Sequence, residues 1–259
     1  MMVDVKKETL RSGSIKELFT GKRYRKALII CIGLKVTQIM SGTLAIQHYI
    51  GRIVQESESN VDISTVLIIF GAVKFFVGIF SSAIVDKVGR RPLLIFSYLS
   101  SGITLIVVGA YFFIQPTSSS YYSYIPFVGI IFTSMLSILG YDSLVFVLIA
   151  EIFPLNVKSV AMTFQNILAG LLNFLSVKGY QEMKDVAGLA GVFWFYAGAS
   201  IIGGIFSYLM VPETKGKSLR EIQVQLQGAL YDETVEKLKT VVVDEDPELA
   251  ELNDLKLGP

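Results

Sequence analysis

The sequence has a single cysteine and a single histidine among its 259 residues. Cys31 has no partner within the chain, so no intrachain disulfide can staple it. His48 has no second metal-ligating side chain near it and reads as structural. Cys, His and carboxylates form no cluster, and no Ser/His/Asp set is in evidence, so no metal, no cofactor and no enzymatic activity are expected. Charged residues make up only 17% of the chain and nearly cancel to +1. That balance by itself is uninformative, and no nucleic-acid partner is expected. A long soluble domain is also missing, which confines any activity to the apolar part.

That apolar part is extensive. Hydrophobic residues reach 52% and the mean hydropathy is +0.57. About 20 apolar residues in helical form cross a ~30 Å hydrocarbon core. Six such runs occur, at about residues 27–49, 63–85, 93–115, 125–149, 160–181 and 190–210. The expected fold is therefore an all-α membrane protein, a six-helix transmembrane bundle over residues 27–210. Residues 1–26 read as a basic cytoplasmic linker with a short amphipathic helix at residues 14–19, and are too polar for a signal peptide. Residues 211–259 read as a cytoplasmic helix, with Ser218 as its cap and Glu221 three residues on, followed by a partly disordered tail.

Lys and Arg set the orientation of such a bundle. If the six runs alternate, eighteen of the 23 fall on one side. Both termini are then cytoplasmic.

Between the second and third runs lies the charged knot Asp86-Lys87-Val88-Gly89-Arg90-Arg91-Pro92. Seven residues cannot cross a membrane, so the flanking runs form a hairpin with a cationic tip. Arginine forks can hold carboxylates bidentately, and Glu151 and Glu213 close other runs on the same side. Two readings stand: positive-inside anchoring, or a charge network that fastens helix ends and loosens when they rearrange.

Polar residues inside the apolar runs form a second set. Lys35, Gln38, Gly42 and Tyr49 fall on one helical stripe, which points to a bundle interior or an aqueous cavity. Close helix packing through Ser41 and Gly42 accounts for that pair equally well. Lys35, Lys74 and Asp142 are intramembrane charges costing ~2.5–3.5 kcal/mol each at a helix centre. They are expected to pair, Asp142 with Lys74 or Lys35, or to face water. Asn166 and Asn173 share a face of the fifth run.

Three ordered motifs, Asp86-x-x-Gly89-Arg90-Arg91-Pro92, Glu151-x-Phe153-Pro154-x-x-x-Lys158 and Pro212-Glu213-Thr214-Lys215-Gly216, together with Gln38-x-x-Ser41-Gly42, resemble the sugar porter family of the major facilitator superfamily. The flavour is that of insect facilitated trehalose transporters, and the resemblance covers about residues 10–226. What aligns is the C-terminal half of such a twelve-span carrier. The resemblance implies facilitated diffusion of a hexose or disaccharide, trehalose among them, across the plasma membrane. Gln38, Phe146 and Asn173 would contact the sugar. Asp86, Gly89, Arg90, Arg91, Glu151, Lys158 and Glu213 would form the inner gate. The chain departs from the family at Ile39, Leu44, Lys74 and Gly170, and in Gly140-Tyr141-Asp142-Ser143-Leu144-Val145-Phe146, which lacks the family's prolines. Without them the fourth helix is expected to keep its hydrogen bonds and bend less easily.

Implied partners are the lipid bilayer, a sugar, and an N-terminal half or full-length transporter. The alternatives are a non-transporting membrane sensor or regulatory subunit, or an inactive truncated product.

Overall fold

The structure, a computed structural model, describes residues 18–19, 21, 24–57, 62–114 and 124–227. Most of the expected surface helix at residues 14–19 and the tail from residue 228 lie outside the described residues. Among those described, all regular structure is helical: α1 Arg25–Met40, α2 Thr43–Glu56, α3 Ile63–Val88, α4 Arg90–Ile114, α5 Ile125–Leu139, α6 Tyr141–Ile152, α7 Leu155–Met210 and α8 Leu219–Gln227. Five stretches of the described residues are long and apolar enough to cross a membrane, the last of them 54 residues long.

That last stretch would run roughly 80 Å if straight, well over twice the ~30 Å core. It does not run straight, because Gly188 has φ 67° and ψ 179° inside α7. Contacts with α1 and α2 show the reversal. Before Gly188, Gln165 bonds the Cys31 carbonyl and Val177 accepts from Tyr49. After it, the order inverts, with Tyr196 against Gly42 and Phe206 against Gly33. α7 is thus two antiparallel limbs, and six spans result. The stretch between the fifth and sixth expected runs is helical up to the reversal, because one glycine supplies the whole turn.

Two other spans are broken where continuous helices were expected. Gly42 sits at φ 81°, between α1 and α2. There the Tyr196 ring occupies the space a Cβ would need. Gly140, at φ −120° and ψ −107°, separates α5 from α6. Its Cα lies so close to Ser97 that a side chain would overlap it. The expectation that a proline-free fourth span would stay unbroken is corrected. The small residue and the Ser143 hydroxyl achieve the break instead, Ser143 bonding the Ile138 and Gly140 carbonyls at 2.8 and 3.2 Å.

The interior is layered. One apolar cluster gathers Leu34, Leu94, Leu144, Leu148 and Phe153 with Ile222 and Leu226 of α8. A second gathers Ile46, Ile50, Leu105, Val108, Val192 and Phe193. Between their centres lie the two breaks and a set of buried hydroxyls: Ser41, Ser97, Ser101, Ser134, Ser137 and Ser200. Small side chains of this kind let membrane helices approach closely. On the outside, α3 exposes Ile68, Phe75, Phe76, Ile79 and Phe80. So continuous an apolar surface suits lipid or another membrane helix, not water.

Candidate functional site

The knot builds one site, and a glutamate from the far end of the chain completes it. α3 ends at Val88, Gly89 turns with φ 106°, and α4 starts at Arg90. The first N–H groups of a helix have no partner within it and carry partial positive charge. The Glu213 carboxylate accepts from the Arg90 N–H at 3.2 Å, the Arg91 N–H at 3.1 Å and the Lys215 N–H at 2.9 Å. Gly89 leaves room for this, since a Cβ there would crowd Glu213.

Side chains then tie further helix ends to the same point. Arg90 Nη2 meets Glu151 Oε1, at the end of α6, at 3.4 Å. Arg91 Nη2 donates to the Tyr208 carbonyl in the last turn of α7 at 2.6 Å, with the guanidinium 5.5 Å from the Tyr208 ring centroid. The Lys215 ammonium bonds the Lys87 carbonyl at the end of α3. The expected bidentate forks are corrected on two counts. Glu213 spends its oxygens on backbone N–H groups, and Arg90 holds Glu151 through one contact. Glu151 Oε2 and Arg91 Nε are buried with no hydrogen-bond partner among the described residues.

Lys158 stands in the first turn of α7, with no side-chain hydrogen bond or ion pair among the described residues. Asp86 belongs to the last turn of α3, and its side chain lies outside what is described.

The second site surrounds the helix breaks. Gln38, one turn before Gly42, donates from Nε2 to Asp142 Oδ1 at 3.2 Å, just past Gly140. Its Oε1 accepts from Lys35 Nζ at 3.0 Å. The same ammonium lies 3.9 Å from the Phe146 ring centroid. The Ser137 hydroxyl, one turn before Asp142, donates to the Ser134 carbonyl at 2.9 Å, and both Lys35 and Lys74 lie within electrostatic reach of Asp142. The expected direct pairing of Asp142 with a lysine is replaced by an amide bridge, because Gln38 stands between Lys35 and Asp142.

Beside this cluster runs a hydroxyl ladder that sequence reasoning missed. Thr37 and Tyr98 share a hydrogen bond of 3.1 Å, Tyr98 stacks on Tyr141 with centroids 4.4 Å apart, and Tyr141 meets the Thr43 hydroxyl at 3.1 Å. Both tyrosines are fully buried. The legible signal was a tyrosine next to Gly140 and another in the third run, each with a hydroxyl that must find a partner in an apolar interior.

Gln38, Phe146 and the three intramembrane charges therefore share one locality. Asn173 does not join them. It lines a shallow groove of about 360 Å³ with Leu44, His48, Tyr49 and Phe174. Asn166 is exposed. His48 Nδ1 lies 3.0 Å from the Leu44 carbonyl.

A family model described as sugar (and other) transporter matches residues 1–226. The facilitated trehalose transporter Tret1 of Bombyx mori is 31% identical over 223 residues, covering 85% of this chain and 44% of that protein. Tret1 of Apis mellifera ligustica is 29% identical over 217 residues, covering 83% and 43%. This chain thus spans less than half the length of either relative. Among solved structures, the major facilitator superfamily proton:xylose symporter XylE bound to 6-bromo-6-deoxy-D-glucose superposes with a TM-score of 0.73 at 23% identity, over 87% of this chain and 48% of that one. The inward-open xylose transporter XylE from E. coli gives 0.66 at 23% identity, over 81% and 44%. The likeness to these structures is one of fold: half of a major facilitator bundle.

Proposed function

This chain belongs to the sugar (and other) transporter family and is a multi-pass membrane protein, and from that premise we propose that it is the C-terminal six-helix half of a carrier that moves a hexose or disaccharide down its gradient. Trehalose is the first candidate, since it is what the relatives' names specify. The bundle spans residues 27–210, flanked by cytoplasmic segments 1–26 and 211–259, in the plasma membrane with both termini inside. It catalyses no covalent chemistry. A second six-helix bundle, an N-terminal half or a full-length relative, supplies the opposite wall of the path.

The observation that carries this reading is the pair of broken spans joined by Gln38 and Asp142. Transporters build midplane sites from discontinuous helices, whose freed backbone groups face the cavity. Gln38 and Phe146 present an amide and an aromatic face there, the groups that hold hydroxyls and stack on a sugar ring. Asn173 adds a second amide from the first limb of α7. Arg90, Arg91, Glu151, Lys158 and Glu213 hold the inner gate, with Asp86 and Gly89 shaping its loop. Arg91 Nε and Glu151 Oε2, without a hydrogen-bond partner among the described residues, can take new partners when the bundles rock.

Uptake of labelled trehalose and glucose into vesicles tests the proposal. Vesicles containing the chain, alone or with a full-length relative, should take up sugar faster than matched vesicles lacking it. Equal rates in both settings contradict it.

A further inference from the structure

Lys35 and Gln38 are almost fully buried, at 3% and 8% exposure. Lys35 gives one of its three ammonium hydrogens to Gln38 and meets Phe146 with the same head group. Lys74, half-buried in α3, has the Phe70 ring at 5.3 Å and no hydrogen bond or ion pair among the described residues. Asp142 lies within electrostatic reach of both. By formal charge, two lysines and one aspartate leave an excess of one positive charge inside the apolar spans.

A purely structural role predicts a closed ion pair, because intramembrane charges are costly unless matched. The arrangement is different on two points. Gln38 separates Lys35 from Asp142, and Lys74 remains without a hydrogen-bonding partner among the described residues. The Gln38 amide is also engaged on both sides, its Nε2 donating to Asp142 Oδ1 and to the Asp142 carbonyl and its Oε1 accepting from Lys35, which leaves it little capacity for a neutral hydroxyl. What the site has in surplus is ammonium donors, next to a ring that is 45% exposed, Phe146.

We propose that Lys35, Lys74 and Asp142, with Phe146, form a binding site for an acidic sugar, one that carries a single carboxylate. The proposal rests on the carrier reading above and replaces its first candidate, a neutral disaccharide, with an acidic sugar at that same site. A carboxylate of charge −1 neutralises the excess, whereas a phosphate monoester, nearer −2 at neutral pH, overshoots it. The sugar carboxylate takes the free ammonium hydrogens, and the sugar's C–H face lies on Phe146. A bound carboxylate would face Asp142 as well as the lysines, which disfavours a second anion.

Equilibrium binding to the purified chain in lipid nanodiscs tests this, with labelled D-glucuronate, D-glucose, trehalose and D-glucose 6-phosphate as probes. Glucuronate should bind at least about tenfold tighter than glucose, the factor one charge-assisted hydrogen bond supplies at the low end of its range. Lys74→Gln should weaken glucuronate binding by about the same factor, and Lys74→Arg should restore it. Neutral sugars binding as tightly as glucuronate overturn the acidic-sugar assignment and leave the carrier reading standing. Glucose 6-phosphate binding tighter than glucuronate overturns the carboxylate assignment. No binding of any probe overturns the proposed site on this chain and leaves the carrier reading, which draws on a second bundle, standing. Unchanged glucuronate affinity in Lys74→Gln removes Lys74 and the proposal with it.

Discussion

The hydroxyls of Thr43 and Tyr141 lie 3.1 Å apart, so the first residue of α2 is hydrogen-bonded to the first residue of α6. Each opens a half-helix immediately after a break, at Gly42 and at Gly140. With Gln38 and Asp142 bonded on the other side of Gly42, the two discontinuities are fastened twice. A displacement of one broken span is therefore transmitted to the other.

Tyr141 separates the hydrogen bond from the packing. Tyr141→Phe keeps the stack on Tyr98 and loses the Thr43 bond, so it should cost about 0.5–1.5 kcal/mol. Tyr141→Ala empties a fully buried site and should cost about 3–5 kcal/mol. Denaturant unfolding in detergent checks both. Equal losses would show that the ring contributes nothing beyond its hydroxyl.

Gly42 should resist substitution. Its φ of 81° costs a residue with a Cβ about 1–2 kcal/mol, and the Tyr196 ring adds a steric clash. Gly42→Ala should lower the unfolding midpoint measurably. A midpoint unchanged from the parent would contradict a left-handed residue between α1 and α2.

Glu213 should behave as a helix cap. Glu213→Ala should cost about 0.5–2 kcal/mol and should speed hydrogen exchange at the Arg90 and Arg91 amides above all others in α4. Uniform exchange across α4 would place the effect elsewhere.

Arg91→Ala removes the tie from α4 to the Tyr208 carbonyl, far from Gln38. In the carrier reading it should slow sugar flux several-fold with little change in sugar affinity. Flux kinetics at varied trehalose concentration distinguish the two; lost affinity at unchanged maximal rate would put Arg91 in the binding site.

Lys184 and Glu56 form an exposed ion pair, and such pairs contribute about 0–1 kcal/mol. Lys184→Ala should leave unfolding within about 0.5 kcal/mol of the parent. A larger loss would mean that this pair anchors α2 to α7.

The number of spans was legible because membrane crossing needs length and apolarity, both local properties of sequence. Where the spans break was not. The breaks at Gly42 and Gly140 depend on Tyr196 and Ser97, residues from other helices that occupy the space a Cβ would take. The helical continuation to Gly188 also escaped the reading, since polar residues such as Lys184 and Asp185 suit a loop and an exposed helix equally. That Arg90, Arg91, Glu151 and Glu213 share one layer could be read from span ends alone. Which atoms meet could not, because a carboxylate near a helix start has backbone N–H groups as well as guanidinium to choose from. The Lys35–Gln38–Asp142 bridge was likewise half-visible: the sequence marks the charges as needing partners, and only the packing of α6 on α1 selects Gln38 as the link.

Counterflow tests the carrier reading most directly, because only a site exposed alternately to the two sides can drive it. Vesicles containing the chain together with a full-length relative are preloaded with unlabelled trehalose and diluted into a trace of labelled trehalose. Label should accumulate transiently above its equilibrium level, more than with the relative alone and less when the chain carries Arg91→Ala. Accumulation identical with and without the chain would contradict it.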